Sequence, residues 1–173
     1  GVIQAAIQRP IKIIFVDLDN TLWPGILGDE GIEAINLAPD TAASPHLSLQ
    51  FLLKRLHHNG VLLAICSKNN LESVESFFKV RDNEMVLKWA DFSAVKANWE
   101  PKSKNIADIL IELNLTAFGS IFIDDSAFER NEIKTVFPEI NVLELPVEPY
   151  GWSKFFSETE LFHTPIVTKE DID

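Results

Sequence analysis

Ile11-Lys12-Ile13-Ile14-Phe15-Val16-Asp17-Leu18-Asp19-Asn20-Thr21 decides how the rest of the chain is read. Its first part is rich in β-branched and aromatic residues and runs straight into two carboxylates. An apolar run this short, bounded by polar residues, reads as a strand buried on both faces. The aspartates then fall where the strand ends, which in an open parallel sheet is the ligand crevice. Asp17 and Asp19 lie roughly 6–7 Å apart along an extended chain and repel each other unless something positive lies between them. The simplest candidate is a divalent cation held by oxygens. An acidic turn capping the next loop would have the same local sequence, so the decision rests on the other strand ends of the chain.

Two later stretches repeat the pattern. Val61–Cys66 is apolar and ends at Ser67-Lys68-Asn69-Asn70, and Ser120–Ile123 ends at Asp124-Asp125. Between them, Glu100-Pro101-Lys102-Ser103-Lys104 opens a helix whose apolar stripe is Ile106, Ile109, Leu110 and Leu113. Strand ends of a parallel sheet share one edge. The helix starts face that same edge, where their free N–H groups favour anions. The competing view, three unrelated polar loops on a structural domain, does not account for acids, serine and lysine all arriving at one rim.

The remaining elements follow from periodicity and punctuation. Residues 22–45 hold Gly25, Gly28, Gly31, Pro24, Pro39 and Pro45 and read as a loop, with a helical turn expected near Ile32–Ile35. A helix over 46–59 buries Leu49, Leu52, Leu53 and Leu56 and stops at Gly60. Another starts from Asn69 or Asn70 as cap, with Leu71, Val74, Phe77 and Phe78 turned inward. Met85-Val86-Leu87 reads as a short third strand and residues 91–98 as a helix. A helix covers about 127–136, Val142–Leu145 is a last strand, and Trp152, Phe155, Phe156, Leu161 and Phe162 place a terminal helix on the sheet. Strands alternating with helices predict an α/β fold of three layers around a central parallel sheet. Residues 1–10 are expected to be an N-terminal extension and 11–173 a single domain.

Composition bounds the function. The 173 residues are 46% hydrophobic and 24% charged, as in a globular domain. The net charge of −11 argues against a nucleic-acid partner. No apolar run reaches the roughly 20 residues that span a bilayer, and no signal-peptide pattern opens the chain, so no membrane partner is expected. Cys66 is the only cysteine, which rules out an internal disulfide and fits a reducing compartment such as the cytoplasm. The chain starts at Gly1 and ends in an acidic tail; it is expected to be a domain excised from something longer, with Gly1 a cloning remnant.

Asp17-Leu18-Asp19-Asn20-Thr21-Leu22-Trp23 resembles the first signature of the haloacid dehalogenase superfamily of phosphoryl-transfer enzymes, and Ser67, Lys102 and Asp124-Asp125 resemble its other three in order and spacing. The resemblance implies a Rossmann-like fold and Mg2+ held by Asp17, the Asp19 backbone carbonyl and Asp124, with Asp125 holding a water of the ion. It makes Asp17 the nucleophile and Asp19 the general acid, then base. Ser67 and Lys102 would hold the moving phosphoryl group, and Thr21, Lys68 and Asn69 would contact substrate. Pro101 beside it favours Lys102 over Lys104 for the lysine role. Lys68 itself could equally be solvated. Glu129 reads as a helix-start carboxylate, structural rather than catalytic.

Gly25–Gly31, Ile65–Asn70, Asn98–Ser103, and Phe122–Asp125 with Phe128-Glu129-Arg130 narrow the resemblance to the FkbH-like family of polyketide assembly lines. That implies a phosphorylated small-molecule donor, 1,3-bisphosphoglycerate. Its phosphate is released and its glyceryl group is loaded onto the phosphopantetheine thiol of an acyl carrier protein. Loading members typically carry a cysteine between the first two aspartates, where this chain has Leu18. Cys66 alternates with Ser67 along its strand and should face the core. Direct attack by the carrier thiol, phosphate hydrolysis alone, and loading of a modified three-carbon acid all remain open. The segments where relatives insert lids are short, so the pocket should be open, with no cap, and closed by a docked partner. Lys54, Arg55, Lys102 and Lys104 are the candidate docking cations. The rivals are a stand-alone lidless magnesium-dependent phosphatase, which Leu22-Trp23-Pro24 would suit, and a non-catalytic docking module.

Overall fold

A computed structural model describes residues 10–163. The expected N-terminal extension, Pro10 apart, and the acidic tail lie outside the described residues. Five parallel strands form one sheet in the order β3-β2-β1-β4-β5, with β1 at Ile13–Val16, β2 at Leu62–Ser67, β3 at Phe92–Ala97, β4 at Ser120–Ile123 and β5 at Asn141–Val142. The helices are α1 (Leu27–Glu30), α2 (Ser44–His58), α3 (Leu71–Val80), α4 (Lys102–Glu112), α5 (Ala127–Val136) and α6 (Trp152–Glu158).

Alternation along the strands divides the core into two layers. Ile14, Val16, Leu63 and Ile65 pack with Leu49 and Leu53 of α2 and with Val74 and Phe77 of α3. Ile13, Phe15, Ala64 and Cys66 pack on the other face with Ile106, Ile109 and Leu110 of α4 and Ile133 of α5. The central strands are therefore buried on both faces, as their continuous apolar runs require. α6 packs on α2 over the first layer, with the Trp152 ring edge-on to His46 at 4.9 Å.

Helix starts follow local chemistry. The Asn70 side chain accepts from Ser73 N at 2.9 Å, and the Ser126 hydroxyl accepts from Glu129 N at 3.3 Å. Gly60 follows α2 at φ +104, a left-handed conformation suited to glycine.

Three expectations are corrected. Residues 92–97 form β3, not a helix, because their backbone pairs with β2 from Ala64↔Ala94 to Ser67↔Ala97. Met85-Val86-Leu87 is not a strand: the N–H groups of Val86 and Leu87 donate to the buried Gln50 Oε1 at 3.0 and 3.1 Å, so a side chain takes the place of a ladder. The helical turn of the first loop sits at Leu27–Glu30 rather than 32–35. Smaller differences are that Leu71 points outward and that the last strand is confined to Asn141–Val142.

Candidate active site

Sheet register builds the centre of the site. Val16 pairs with Ile123 in adjacent parallel strands, so the next residues, Asp17 and Asp124, emerge side by side. Asp17 N donates to Ile123 O at 3.0 Å, which extends the ladder one step into the site. Lys102, first residue of α4, reaches between the two acids: Nζ lies 3.0 Å from Asp17 Oδ1 and 2.5 Å from Asp124 Oδ2. All three are buried. Lys104, two residues on, points to solvent beside Asp108.

Asp125 completes the cluster. One carboxylate oxygen from each of Asp17, Asp124 and Asp125 lies within 4.8 Å of the others. One ammonium cannot balance this charge. Burial, and then the Asp17 charge, push Asp124 up to about 8 despite Lys102, and the same two causes push Asp125 up to about 6. Burial opposes the Lys102 charge, but Asp17 and Asp124 outweigh it and hold its pKa above the usual lysine range. Hard carboxylate oxygens converging with negative charge left over are the donor set that a hard divalent cation fits.

Asp19 stands apart from this cluster and is held differently. Its Oδ1 accepts from Trp23 Nε1 at 3.1 Å and Leu27 N at 2.9 Å, and its Oδ2 accepts from Asn69 Nδ2 at 3.0 Å. Burial raises its pKa, against the lowering pull of the Leu27 and Trp23 donors. A carboxyl fixed in place with a raised pKa is suited to exchanging protons.

Thr21 and Asn69 work from behind the pocket. The Thr21 hydroxyl donates to Asp125 Oδ1 at 3.1 Å, while Asn69 orients Asp19 and lies 3.5 Å from Ser67 Oγ. Both are buried, and neither lines the cavity at the strand ends. That cavity, about 310 Å³, is lined by Asp17, Asp19, Lys68, Lys102, Asp124 and Asp125, with Ile26, Trp99 and Glu129 among its other walls. Ser67, expected to hold the phosphoryl group, is buried at the end of β2 and is not among the walls of this cavity either. Lys68 is not merely solvated: Nζ pairs with Glu129 Oε1 at 2.8 Å and sits 5.7 Å from the Phe128 ring centre.

Two residues escaped the sequence reading. His46 Nδ1 lies 2.8 Å from Thr21 O, and Gln50 Nε2 donates to Leu22 O at 2.8 Å. Together they clamp the turn after β1 to α2. Polar residues on the inner face of a leucine-rich helix were the available signal. Cys66 lies in the second core layer as alternation requires, and burial pushes its thiol up to about 12. Leu18 is buried in the first layer. The proposed docking cations do not form one patch. Lys54 pairs with Asp91 at 2.6 Å, Lys102 is buried, and α2 and α4 cover opposite faces of the sheet.

Acids, a buried lysine and a serine thus meet at the strand-end rim of a parallel sheet covered by helices on both faces. No protein-family model matches the chain, and no curated protein does. Among solved structures it is similar to the N-terminal part of protein BF1531 from Bacteroides fragilis, described as containing a phosphatase domain complexed with Mg. Identity there is 36% and the TM-score 0.87, over 94% of this chain and 43% of that one. The chain thus spans less than half the length of that relative. It also resembles an uncharacterized protein from Corynebacterium glutamicum in fold alone, at 13% identity and TM-score 0.56 over 91% of this chain and 99% of that one. The fold and the residues at its strand ends agree with the resemblance to the haloacid dehalogenase superfamily.

Proposed function

We propose that this domain is a magnesium-dependent enzyme that removes phosphate from a small phosphorylated acid, and that it loads the acyl group onto a carrier protein. The observation that carries the phosphoryl chemistry is the pairing of Asp17 with Asp124 across Lys102, with Asp125 completing an oxygen cluster. Asp17, Asp124 and Asp125 would hold the ion, with the Asp19 backbone carbonyl as a further ligand. The Mg reported with the Bacteroides fragilis domain supports that choice. When bound, the ion supplies charge neutralisation for the carboxylates and for the phosphate they face.

Asp17 attacks the phosphorus of the donor's ester phosphate in line: an Asp17 oxygen–phosphorus bond forms and the bond to the leaving alcohol oxygen breaks, while an acyl phosphate on the same donor stays intact for transfer. Asp19 gives its proton to that leaving oxygen. It then takes a proton from the water that attacks the aspartyl phosphate, returning Asp17 as a free carboxylate. Lys102 holds the transferred oxygens from the cavity wall, and the Ser67 hydroxyl buried behind that wall is the second candidate donor.

One observation favours loading over hydrolysis alone. A second cavity of about 480 Å³ shares Asn20 and Asp125 with the first, and its walls include His46, Pro146 and Trp152. It offers room for an acceptor beside the donor. With Leu18 and Cys66 in the core, no thiol of this chain faces either cavity, so the carrier thiol would attack the acyl phosphate directly. A sulfur–carbon bond forms, the carbon–oxygen bond to phosphate breaks, and the thiol proton leaves with phosphate. FkbH-like loading from 1,3-bisphosphoglycerate is the form this takes in the family resembled.

Incubation with 1,3-bisphosphoglycerate and magnesium, with and without a phosphopantetheinylated carrier protein, tests both steps. Intact mass should show the acyl group on the carrier. Phosphate release with an unmodified carrier would leave a phosphatase, and no release at all would leave a docking module.

A further inference from the structure

Ser126-Ala127-Phe128-Glu129 is a capping-box sequence, in which the glutamate should reach back to the Ser126 N–H. Only half of the box forms. Glu129 N donates to Ser126 Oγ, but Ser126 N is taken by Asp124 Oδ1 at 2.9 Å. The Glu129 carboxylate is thereby released from its usual structural duty and turns to the cavity of the active site, which it lines. Oε1 meets Lys68 at 2.8 Å, while Oε2 is buried with no hydrogen-bond partner. The residue is 7% exposed. A buried carboxylate oxygen without a donor is costly; Oε2 is closed to solvent as it stands, and a small turn of the carboxylate toward the cavity that Glu129 lines brings it within reach of a donor there.

We propose that Glu129 is the specificity-determining residue of a leaving-group subsite, where Oε2 accepts a hydrogen bond from a substrate hydroxyl. This rests on the phosphoryl-transfer reading above and names the class of substrate: a phosphorylated compound bearing a hydroxyl near the phosphate. Charge selects a hydroxyl over an amine. Lys68 already balances Glu129, so the free oxygen needs a proton donor, not a second cation. Trp99, exposed over 74% of its surface, lines the same cavity and gives the carbon side of such a ligand an apolar wall. Lys68 keeps the carboxylate pinned, and Phe128 in turn lies beneath the Lys68 ammonium.

Two esters differing by their hydroxyls test this: glycerol 3-phosphate and propyl phosphate, with the full chain and magnesium. The wild type should favour the hydroxylated ester in kcat/KM on the order of tenfold to a hundredfold, the usual scale for losing a bond to a charged group. Glu129→Leu should bring the ratio to about one, and Glu129→Gln, which keeps an acceptor oxygen but not the charge, should fall between. Each variant is first checked for an unchanged thermal melt, and the Gln variant carries the test if the Leu variant does not fold. An equal wild-type rate on both esters, or a ratio that survives in both variants, overturns the proposal. Acetyl phosphate separates the two readings. If it too releases no phosphate, the phosphoryl-transfer reading fails, and the same ratio is then read on ligand affinity from tryptophan fluorescence.

Discussion

Lys102 Nζ lies 2.5 Å from Asp124 Oδ2, both groups are buried, and the same ammonium also serves Asp17. Removing it leaves two buried carboxylates with no counter-charge. Lys102→Met should therefore destabilise the metal-free protein by about 3–5 kcal/mol in urea unfolding. Added magnesium should raise the melting temperature of this variant more than that of the wild type, since an ion is then the only neutralising charge left. A variant as stable as the wild type without metal would show that the pair carries no such load.

Asp17→Asn should abolish phosphate release from a phosphate ester in the absence of carrier protein, because an amide is a poor nucleophile and the other acids of the site do not occupy its position at the end of β1. The fold should persist, since the substitution removes one negative charge from a crowded cluster. Phosphate release and a thermal melt on the same sample check both halves of this expectation.

Cys66 should stay silent toward thiol reagents near pH 8 and react only after denaturation. Its folded pKa of about 12 lies above the ordinary value of 9.0. Below pH 9 the thiol is protonated in both states and its stabilising contribution is whole. As pH rises from 9 to 12 the unfolded chain ionises first, and up to about 4 kcal/mol of stability is lost. Cys66→Ala should flatten this alkaline loss in denaturant titrations while leaving phosphate release, and carrier loading where it is measured, in place.

Gln50→Leu should cost about 3 kcal/mol or more. It strands the Leu22 carbonyl and the Val86 and Leu87 N–H groups, all of which the Gln50 amide now satisfies. The turn carrying Thr21 is clamped from the same helix, so KM for a phosphorylated substrate should rise as well. Urea midpoints and steady-state kinetics read the two effects separately.

The strands that hold the acids were legible because they are buried on both faces: Ile13–Val16 and Ser120–Ile123 are unbroken apolar runs with chemistry at one end. β3 was not. Phe92-Ser-Ala-Val-Lys-Ala is an edge strand, only partly buried, and its small residues carry little β signal. The nearby Met85-Val86-Leu87 has that signal but bonds to Gln50, a partner far along the chain that no local pattern announces. At the site, Asp17, Asp19, Lys102 and Asp124 could be placed from strand ends and helix starts. The freeing of Glu129 could not, because it follows from Asp124 capturing the Ser126 N–H, a three-dimensional competition for one donor.

The Val16–Ile123 pairing has an evolutionary consequence. The acids are fastened by hydrogen bonds of the sheet itself, whereas Ile26 and Trp99, which shape the mouth, belong to connecting segments. Insertions or exchanges in those segments can re-tailor the rim without disturbing the spacing of the reactive oxygens. One chassis can thus be fitted to new substrates at little risk to its chemistry.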